Sequence, residues 1–420
     1  MIRRPLSLVL LAAASLGLSL TIPAQAGAAN APASHVAQRL MPAQSVSING
    51  SASATGKPSA WPMAGYDTGQ SHWGSVESTV TPARVKIMKL NYSIPVVLPD
   101  PNTDECESAI PPVTAAGRLF DLGADGISAY NQWTGHRLWN IPATSQYAVG
   151  MQIVGSDLVV ALDDCGTMEP NTDVLVLDAA TGAQAQPGFR LDNATRAGFV
   201  VTNGVLIASE YDGDTNAFWS AGYRLATGRR LWELPSWSVS QVAANGLVYG
   251  SYAGNLTAQR IGNGSLAWYL PRAVQPEALS QDGRDLFGVD SDGTLYDIRT
   301  STGAVQWTDA GRGGTLAVTA STVYSMCAAN VLCATRRWDG KALWQVTVPS
   351  SGPWMWWLPL QPIVAVGVIY VAGESFLATT GNRIVSAADG ALVTAVSGGR
   401  AYGLRYDATF ELWDSILSFK

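Results

Sequence analysis

A short phrase that returns along the chain restricts the fold more than any other feature. Each copy is a glycine with a tryptophan four positions later. The intact copies are Gly135/Trp139, Gly228/Trp232, Gly264/Trp268, Gly303/Trp307 and Gly340/Trp344. Two further copies, Gly182 with Gln186 and Gly390 with Thr394, keep the glycine and lose the ring. The copies recur about every 40 residues, which indicates one supersecondary unit repeated many times.

Each copy predicts a β-hairpin. Residues before the glycine alternate in polarity, as in 295–299, and a second short run follows the glycine. Glycine supplies the positive φ that a tight hairpin turn or its bulge requires. Another pair of short apolar runs precedes each hairpin, for example around 246–250 and 367–371. Four short strands in about 40 residues are typical of one β-propeller blade.

The predicted fold class is therefore all-β, a β-propeller of four-stranded blades. Residues 91–95 match the strand that follows each glycine, with Tyr92 at the tryptophan position, so eight outer strands predict eight blades. The strand at 90–94 would pair with residues near 401–419 and close the ring, because an open end leaves strand edges unpaired. Few residues follow Thr394, so seven blades and a capping segment are the alternative. The repeated tryptophan is expected to fill the wedge between neighbouring blades.

The repeat resembles that of propellers built from pyrroloquinoline-quinone-type repeats. The resemblance rests on Leu-Asp-Ala-Ala-Thr-Gly at 177–182 and on Ala-Thr-Gly-Arg-Arg-Leu-Trp at 226–232. Residues 61–67 are also similar to the usual opening sequence of that family, and the resemblance covers roughly residues 61–400. It implies either a quinone-dependent dehydrogenase or a non-catalytic scaffold similar to the barrel-assembly lipoprotein of Gram-negative outer membranes.

The cysteines decide between those two expectations. The dehydrogenases of the family resemble one another in having adjacent cysteines over the quinone, a calcium ion and an aspartate base. Here the closest cysteines, Cys327 and Cys333, are six positions apart, and no Gly-x-Ser-x-Gly nucleophile motif is present. The sequence therefore favours a non-catalytic protein without a cofactor, and no catalytic residue is assigned. A divergent oxidoreductase that holds pyrroloquinoline quinone and calcium is the alternative.

Acidic pairs at hairpin mouths allow two interpretations. They could act as carboxylate dyads or calcium ligands, or they could be turn residues whose side chains bond the local backbone. A glycan-active hydrolase or lyase would need such acids clustered near the central channel. No metal site is predicted, because neither a Cys/His cluster nor a calcium-loop pattern is present. The pairs are Asp163/Asp164, Asp212/Asp214 and Asp290/Asp292.

The N-terminal composition predicts the compartment. Residues 1–26 combine Arg3 and Arg4, an apolar stretch and a small-residue exit, as in a secretory signal peptide. Residues 27–60, rich in Ala, Ser, Pro and Gly, predict a flexible lead segment, and residues 61–420 the propeller domain. No cysteine directly follows the apolar stretch to carry a lipid, and no later run is long enough for a membrane helix. We therefore expect a secreted protein, extracellular or periplasmic, without a membrane anchor.

Charge and cysteine content narrow the partners. The net charge is −6, and an acidic surface repels phosphate backbones and anionic lipid, so nucleic-acid and membrane-surface binding are not expected. We expect a monomer. Four cysteines in an exported chain should pair. The predicted bridges are Cys327–Cys333 across one hairpin mouth and Cys106–Cys165 between adjacent blades.

Aromatic side chains mark a candidate binding surface. In a propeller the loops from strand four to strand one and from strand two to strand three share one face, and the longest inserts fall there. Exposed aromatic clusters suit protein or sugar contacts, so this face is predicted to bind a protein or glycan of the cell envelope. Alternation around 354–358 fits a buried inner strand equally well, and that alternative stays open. The candidates are Phe218, Trp219, Trp354, Trp356 and Trp357.

Overall fold

A computed structural model of the chain describes residues 59–95, 110–123, 126–142, 146–164, 171–191, 194–212, 217–349, 360–407 and 412–420. All of these lie in one compact unit, Ser53–Lys420. The described residues form eight sheets, each with four strands of one blade. This confirms the eight-bladed, all-β propeller and removes the seven-bladed alternative.

Within a blade the strands are antiparallel neighbours. In seven of the eight pairs of neighbouring blades, the first strand of one blade contacts the first strand of the other around the central channel. Blades 1 to 4 consist of β3 (Val113–Ala115), β4 (Arg118–Gly123), β5 (Gly126–Asn131), β6 (Arg137–Ile141); β7 (Gln146–Val154), β8 (Asp157–Asp164), β9 (Thr172–Asp178), β10 (Gln184–Leu191); β11 (Ala194–Thr202), β12 (Val205–Asp212), β13 (Ala217–Arg224), β14 (Arg230–Pro235); β15 (Trp237–Ala244), β16 (Leu247–Tyr252), β17 (Asn255–Arg260) and β18 (Leu266–Leu270).

The remaining blades include two strands from the N-terminal part of the chain. Blades 5 to 8 consist of β19 (Val274–Leu279), β20 (Asp285–Asp290), β21 (Leu295–Arg299), β22 (Val305–Asp309); β23 (Leu316–Val318), β24 (Thr322–Ala328), β25 (Val331–Arg336), β26 (Ala342–Thr347); β27 (Ile363–Ala365), β28 (Val368–Val371), β29 (Glu374–Leu377), β30 (Arg383–Ile384), with β1 (Trp73–Gly74) parallel to β27; and β31 (Leu392–Ser397), β32 (Arg400–Asp407), β33 (Leu412–Phe419) and β2 (Leu90–Pro95).

Blade 8 closes the ring from both ends of the chain. The N-terminal strand β2 pairs antiparallel with the C-terminal strand β33, with Leu90 opposite Phe419 and Ile94 opposite Ile416. Lys89 and Lys420 extend this pairing with two backbone hydrogen bonds of 2.9 Å. This pairing confirms the predicted closure. Without it, the edge strand of blade 8 would expose unpaired backbone groups.

The glycine of each repeat receives an aromatic ring from the preceding blade. The rings of Trp139, Trp232, Trp268, Trp307 and Trp344 stack on glycines in the next blade. A methyl group at Gly264, for example, would lie 2.9 Å from the Trp232 ring. The indole N–H of Trp232 donates to the Ile261 carbonyl at 2.7 Å, and that of Trp268 donates to the Thr300 carbonyl at 2.6 Å. The predicted wedge-filling role of the tryptophan is confirmed.

Two degenerate copies of the repeat differ from the sequence interpretation. Gln186 stands where a ring was expected, but two register shifts in β10 bring Phe189 onto Gly228 instead. Gly390 with Thr394 is wrong as the seventh copy, because the turn between β29 and β30 contains Gly381, on which Trp344 stacks. Gly381 is followed four positions later by an exposed valine. Blade 8 offers no glycine turn to receive a ring there, since its third and fourth strands come from opposite ends of the chain.

Residues 59–74, called the strap below, run along the ends of the inner strands. Strap carbonyls accept backbone N–H groups of five inner strands at 2.7 to 2.9 Å, namely Pro62 from Ile153, Thr68 from Ala243, Gly69 from Leu279, Ser71 from Val318 and His72 from Val364. The strap reaches blade 1 through two hydrogen bonds between Trp61 and Thr114, of 2.9 and 2.8 Å. All these contacts lie at the carboxyl ends of the inner strands, so the strap covers the channel on the face of the strand 1–2 and 3–4 turns, the turn face.

The strap is held at its start by a buried carboxylate. Glu77 accepts hydrogen bonds from the backbone N–H groups of Thr79 at 2.7 Å and Gly399 at 3.2 Å, and from the Ser59 hydroxyl at 2.5 Å. A short helix α1 (Pro82–Val85) follows, capped by Thr81. No helix in the described ranges has the length and apolarity to cross a bilayer.

Candidate functional site

The opposite face of the propeller, called the loop face, carries the connections between blades and the hairpins between second and third strands. An open cavity of about 390 Å³ lies in this face beside blade 5. Its wall is formed by the inner strand β19, by the hairpins that follow β16 and β20, and by Gly314 after β22. Four separate stretches of chain therefore meet at one opening.

Two carboxyl groups and three neutral polar side chains line the cavity. The carboxyls are Glu277 and Asp290, and the others are Ser251, Gln275 and Ser291. Among the described residues that line it, none is a Lys or Arg. The cavity therefore favours a ligand group that is cationic or that donates hydrogen bonds.

Glu277 lies at a bulge in β19, between Pro276 and Ala278, where the register with β20 shifts. Among the described residues none donates a hydrogen bond to its carboxyl. Burial raises the pKa of Glu277 to about 7. A carboxyl in this environment exchanges its proton near neutral pH, so a cationic ligand that displaces the proton would bind better as pH rises.

Asp290 has the opposite electrostatics. Burial pushes its pKa upward, but hydrogen bonds from the backbone of Thr294 and Asp292 and from the Tyr296 hydroxyl outweigh burial, so the pKa lies below its ordinary value. Their distances to Asp290 are 2.9, 3.0 and 2.7 Å. Arg272 in turn donates to the Tyr296 hydroxyl at 3.1 Å. Asp290 is thus a fixed anion, and the turn interpretation of the Asp290/Asp292 pair is supported.

The aromatic candidates of the loop face are placed differently from one another. Phe218 is the second residue of β13, near the loop face, and is 46% exposed. Trp219, its neighbour, packs against the blade 2 and 3 core and donates its indole N–H to the buried Glu210 carboxylate. Sequence reasoning missed Tyr252, which is 50% exposed on the blade 4 hairpin next to the cavity. Trp354, Trp356 and Trp357 lie outside the described residues.

The structure describes some of the cysteine and acidic candidates and not others. Cys327 and Cys333 are bridged across the β24–β25 hairpin, as predicted. Cys106 and Cys165 lie outside the described residues. Asp163 is buried and accepts a hydrogen bond from Thr172 within its own blade. In the part of the chain that the structure describes, no three His, Cys, Asp or Glu side chains group to hold a metal ion.

Another carboxyl with a raised pKa lies away from the cavity. Asp297 in β21 is 3% exposed and stands between Phe287 and Trp307 in the blade 5 sheet. Burial, with the neighbouring Asp285 charge, raises its pKa to about 7. Because Asp297 is closed off inside the blade, its shift reflects packing and not a ligand site.

Comparison with known proteins agrees with the repeat and the sheet order. A family model described as outer membrane protein assembly factor BamB matches residues 65–309, more than half of the chain. The chain belongs to this family. No curated protein matches the sequence.

Solved structures with a similar fold include a BamB protein and two dehydrogenases. The BamB structure from Moraxella catarrhalis has 17% sequence identity and a TM-score of 0.56, with 80% of this chain and 98% of that chain covered. The quinohemoprotein alcohol dehydrogenase from Comamonas testosteroni has 13% identity and a TM-score of 0.61, covering 86% and 80%. A europium-containing methanol dehydrogenase has 10% identity and a TM-score of 0.61, covering 86% and 98%. At these identities the likeness shows the fold alone.

The cavity of this BamB-family propeller does not fit a quinone cofactor. Pyrroloquinoline quinone carries several carboxylates, whereas the described residues that line the cavity include two carboxyls, Glu277 and Asp290, and no Lys or Arg. The bridged cysteines are six residues apart and close their own hairpin. An anionic cofactor placed here would meet like charge, which disfavours binding.

Proposed function

We propose that this protein is a secreted, non-catalytic propeller that binds a protein or glycan of the cell envelope at its loop face. The observation that carries the proposal is the acidic cavity of the loop face. It is wide enough for one side chain or one sugar unit, and its lining offers carboxylates, hydroxyls and an amide. A basic side chain or a hydroxyl-rich glycan provides the complementary donors.

The rest of the architecture supports a binding role for this face. On the turn face the strap bonds to the inner strands of at least six blades and covers the channel. Phe218 and Tyr252 stand on the hairpins of adjacent blades 3 and 4, on the same side as the cavity. Aromatic side chains beside a polar pocket are typical of binding hot spots and of sugar-stacking platforms.

Retention on envelope material tests the proposal. The double variant Phe218→Ala/Tyr252→Ala should release the protein from delipidated envelope material of its own cells, with affinity reduced by roughly tenfold or more. Trp338→Ala is the matched control, because Trp338 is 63% exposed on the turn face. Equal retention of the double variant and the wild type, or an equal loss in the control, would contradict the proposal.

The oxidoreductase alternative has its own test. Adding pyrroloquinoline quinone and calcium should leave the melting temperature unchanged if no site exists. A ligand at about 100 times its dissociation constant would stabilise the fold by about 2.7 kcal/mol. A clear rise in melting temperature would therefore favour the oxidoreductase.

The two carboxyls also favour a second candidate, a glycan-active hydrolase or lyase. Glu277 with its raised pKa could donate a proton while Asp290 stays ionised, a division of roles that such enzymes use. Against this, both oxygens of Asp290 accept hydrogen bonds from its own turn and from Tyr296. Release of sugar from envelope glycans by the wild type and not by Glu277→Gln would establish the enzyme, and no release by either would support the binding protein.

A further inference from the structure

We propose that the turn face of this propeller docks on an anionic lipid surface through one corner of blade 8. The corner consists of Lys86, Ile87, Lys89, Leu90 and Lys420, with Trp133 in the adjoining turn of blade 1. This surface lies on the face opposite the cavity, so it acts independently of the binding role proposed above. Three observations carry the inference: the exposure of its apolar side chains, the contacts that hold it together and its charge.

The apolar side chains of the corner are held outward by the core beneath them. Val85 and Met88 are buried in the core cluster of blades 7 and 8. Between them Ile87 is 67% exposed, and Leu90 is also exposed. The Ile87 N–H bonds to the Arg84 carbonyl at 3.0 Å, which ends the helical turn. The segment is therefore anchored on both sides of an isoleucine that stays mostly exposed to water in the free protein.

Backbone contacts bring three stretches of chain together at the corner. Lys89 pairs with Lys420 through both backbone hydrogen bonds, and Leu90 stands opposite Phe419. Asn91 donates its side-chain amide to the Trp133 carbonyl at 3.1 Å. The backbone of Trp133 thus lies beside the strand that carries Leu90, and its partly exposed indole lies over Gly117 in the β3–β4 turn.

The charge of the corner is opposite to that of the whole chain. The chain has a net charge of −6 and only five lysines, yet three of them, Lys86, Lys89 and Lys420, are at this corner. The segments 78–95, 131–142 and 415–420 contain no Asp or Glu. The expectation of no membrane-surface binding rested on net charge, and a local cationic patch does not follow the net charge.

The combination of side chains favours a lipid surface over an acidic protein. Lysines attract the anionic headgroups, and their long stems let the ammonium groups stay in water while neighbouring apolar side chains enter the interface. Exposed aliphatic side chains beside lysines are typical of segments that lie in the headgroup region. An acidic protein would need the lysines and would gain little from an isolated Ile87.

Vesicle co-sedimentation of the mature full chain tests the proposal. We expect binding to vesicles of phosphatidylcholine with phosphatidylglycerol and none to phosphatidylcholine alone. Lys86→Gln/Lys89→Gln should weaken binding by roughly 25-fold, at about fivefold for each lysine. Ile87→Ser should weaken it by roughly tenfold through the lost apolar contact. Both changes fall on exposed side chains, so the melting temperature should stay close to that of the wild type.

The matched control is Arg229→Gln/Arg230→Gln, which changes net charge equally on the same face, at exposed residues of the blade 3 turn. It should reduce binding less than twofold. Absence of wild-type binding, or an equal loss in the control, would overturn the proposal. Loss in the lysine variant with full binding by Ile87→Ser would also overturn it, because a purely electrostatic contact would indicate an acidic macromolecule instead.

Discussion

Replacing one glycine of the repeat by alanine should show how tightly the rings dock between blades. Gly264 and Gly254 form a matched pair, because both have positive φ, +67° and +75°. An added methyl group at Gly264 would lie 2.9 Å from the Trp232 ring, whereas nothing lies within 4 Å of one at Gly254. The two substitutions share the backbone cost and differ in the clash.

The magnitudes follow from those two terms. Alanine in the left-handed region costs about 1 to 2 kcal/mol, less about 0.4 to 1 kcal/mol because alanine also restricts the unfolded chain. Overpacking against a well-packed ring adds about 1 to 3 kcal/mol. Gly254→Ala should therefore cost about 1 kcal/mol of unfolding free energy, and Gly264→Ala about 2 to 4 kcal/mol.

Guanidinium unfolding followed by far-ultraviolet circular dichroism measures both variants without depending on indole fluorescence. In a Trp232→Leu background, which removes the ring, Gly264→Ala should cost no more than Gly254→Ala does. Equal costs for the two glycines in the wild-type background would refute tight docking and would leave positive φ as the only reason for the glycine.

Three further predictions concern closure, oxidation and pH. Ile416→Asp places a carboxyl opposite Ile94 in the closing strand pair and should lower the free energy of unfolding by about 4 kcal/mol or more, which would reduce protease resistance. Lys420→Asp, just beyond that strand, should leave protease resistance unchanged. Peptide mapping of unreduced protein should show Cys327 joined to Cys333 and Cys106 to Cys165; free thiols at the second pair would refute that pairing, and removing the first bridge should cost about 2 kcal/mol for so short a loop. Asp297 keeps its proton in the fold up to about pH 7, while the unfolded chain loses it near pH 4, so this carboxyl lowers stability as pH rises between those values. Asp297→Asn should therefore be more stable relative to the wild type at pH 8 than at pH 4, and a constant difference would contradict the raised pKa.

The hairpins and the ring closure were predictable because each depends on local chemistry repeated many times. A glycine with positive φ and a ring four residues later define the hairpin, and one tyrosine at the ring position identified β2 as the eighth outer strand. Tyr92 confirms this by stacking on Gly135 and donating its hydroxyl to the Gln132 carbonyl at 2.8 Å.

Other features depend on contacts that the repeat does not encode. Phe189 reaches its glycine through bulges, which no spacing rule anticipates. Gly381 was overlooked because no aromatic residue stands four positions after it. The ring is absent because blade 8 has no glycine turn between its third and fourth strands to receive one. The cavity was not predictable, since Glu277 has a raised pKa only where β19, two hairpins and Gly314 enclose it. The strap bonds through backbone carbonyls, so its side chains gave little sign of its partners.

The pairing of β2 with β33 sets an order of events during synthesis. The ribosome completes β2 early, and β33, the strand that pairs with it among the described residues, follows more than 300 residues later. At about 5 to 20 residues per second, β2 waits on the order of tens of seconds for that partner. During this interval a chain that lacks its last strand has an incomplete eighth blade. A nonsense or frameshift product that stops before residue 412 would keep the eighth blade incomplete permanently, and its unpaired strand edges would be sites for proteolysis.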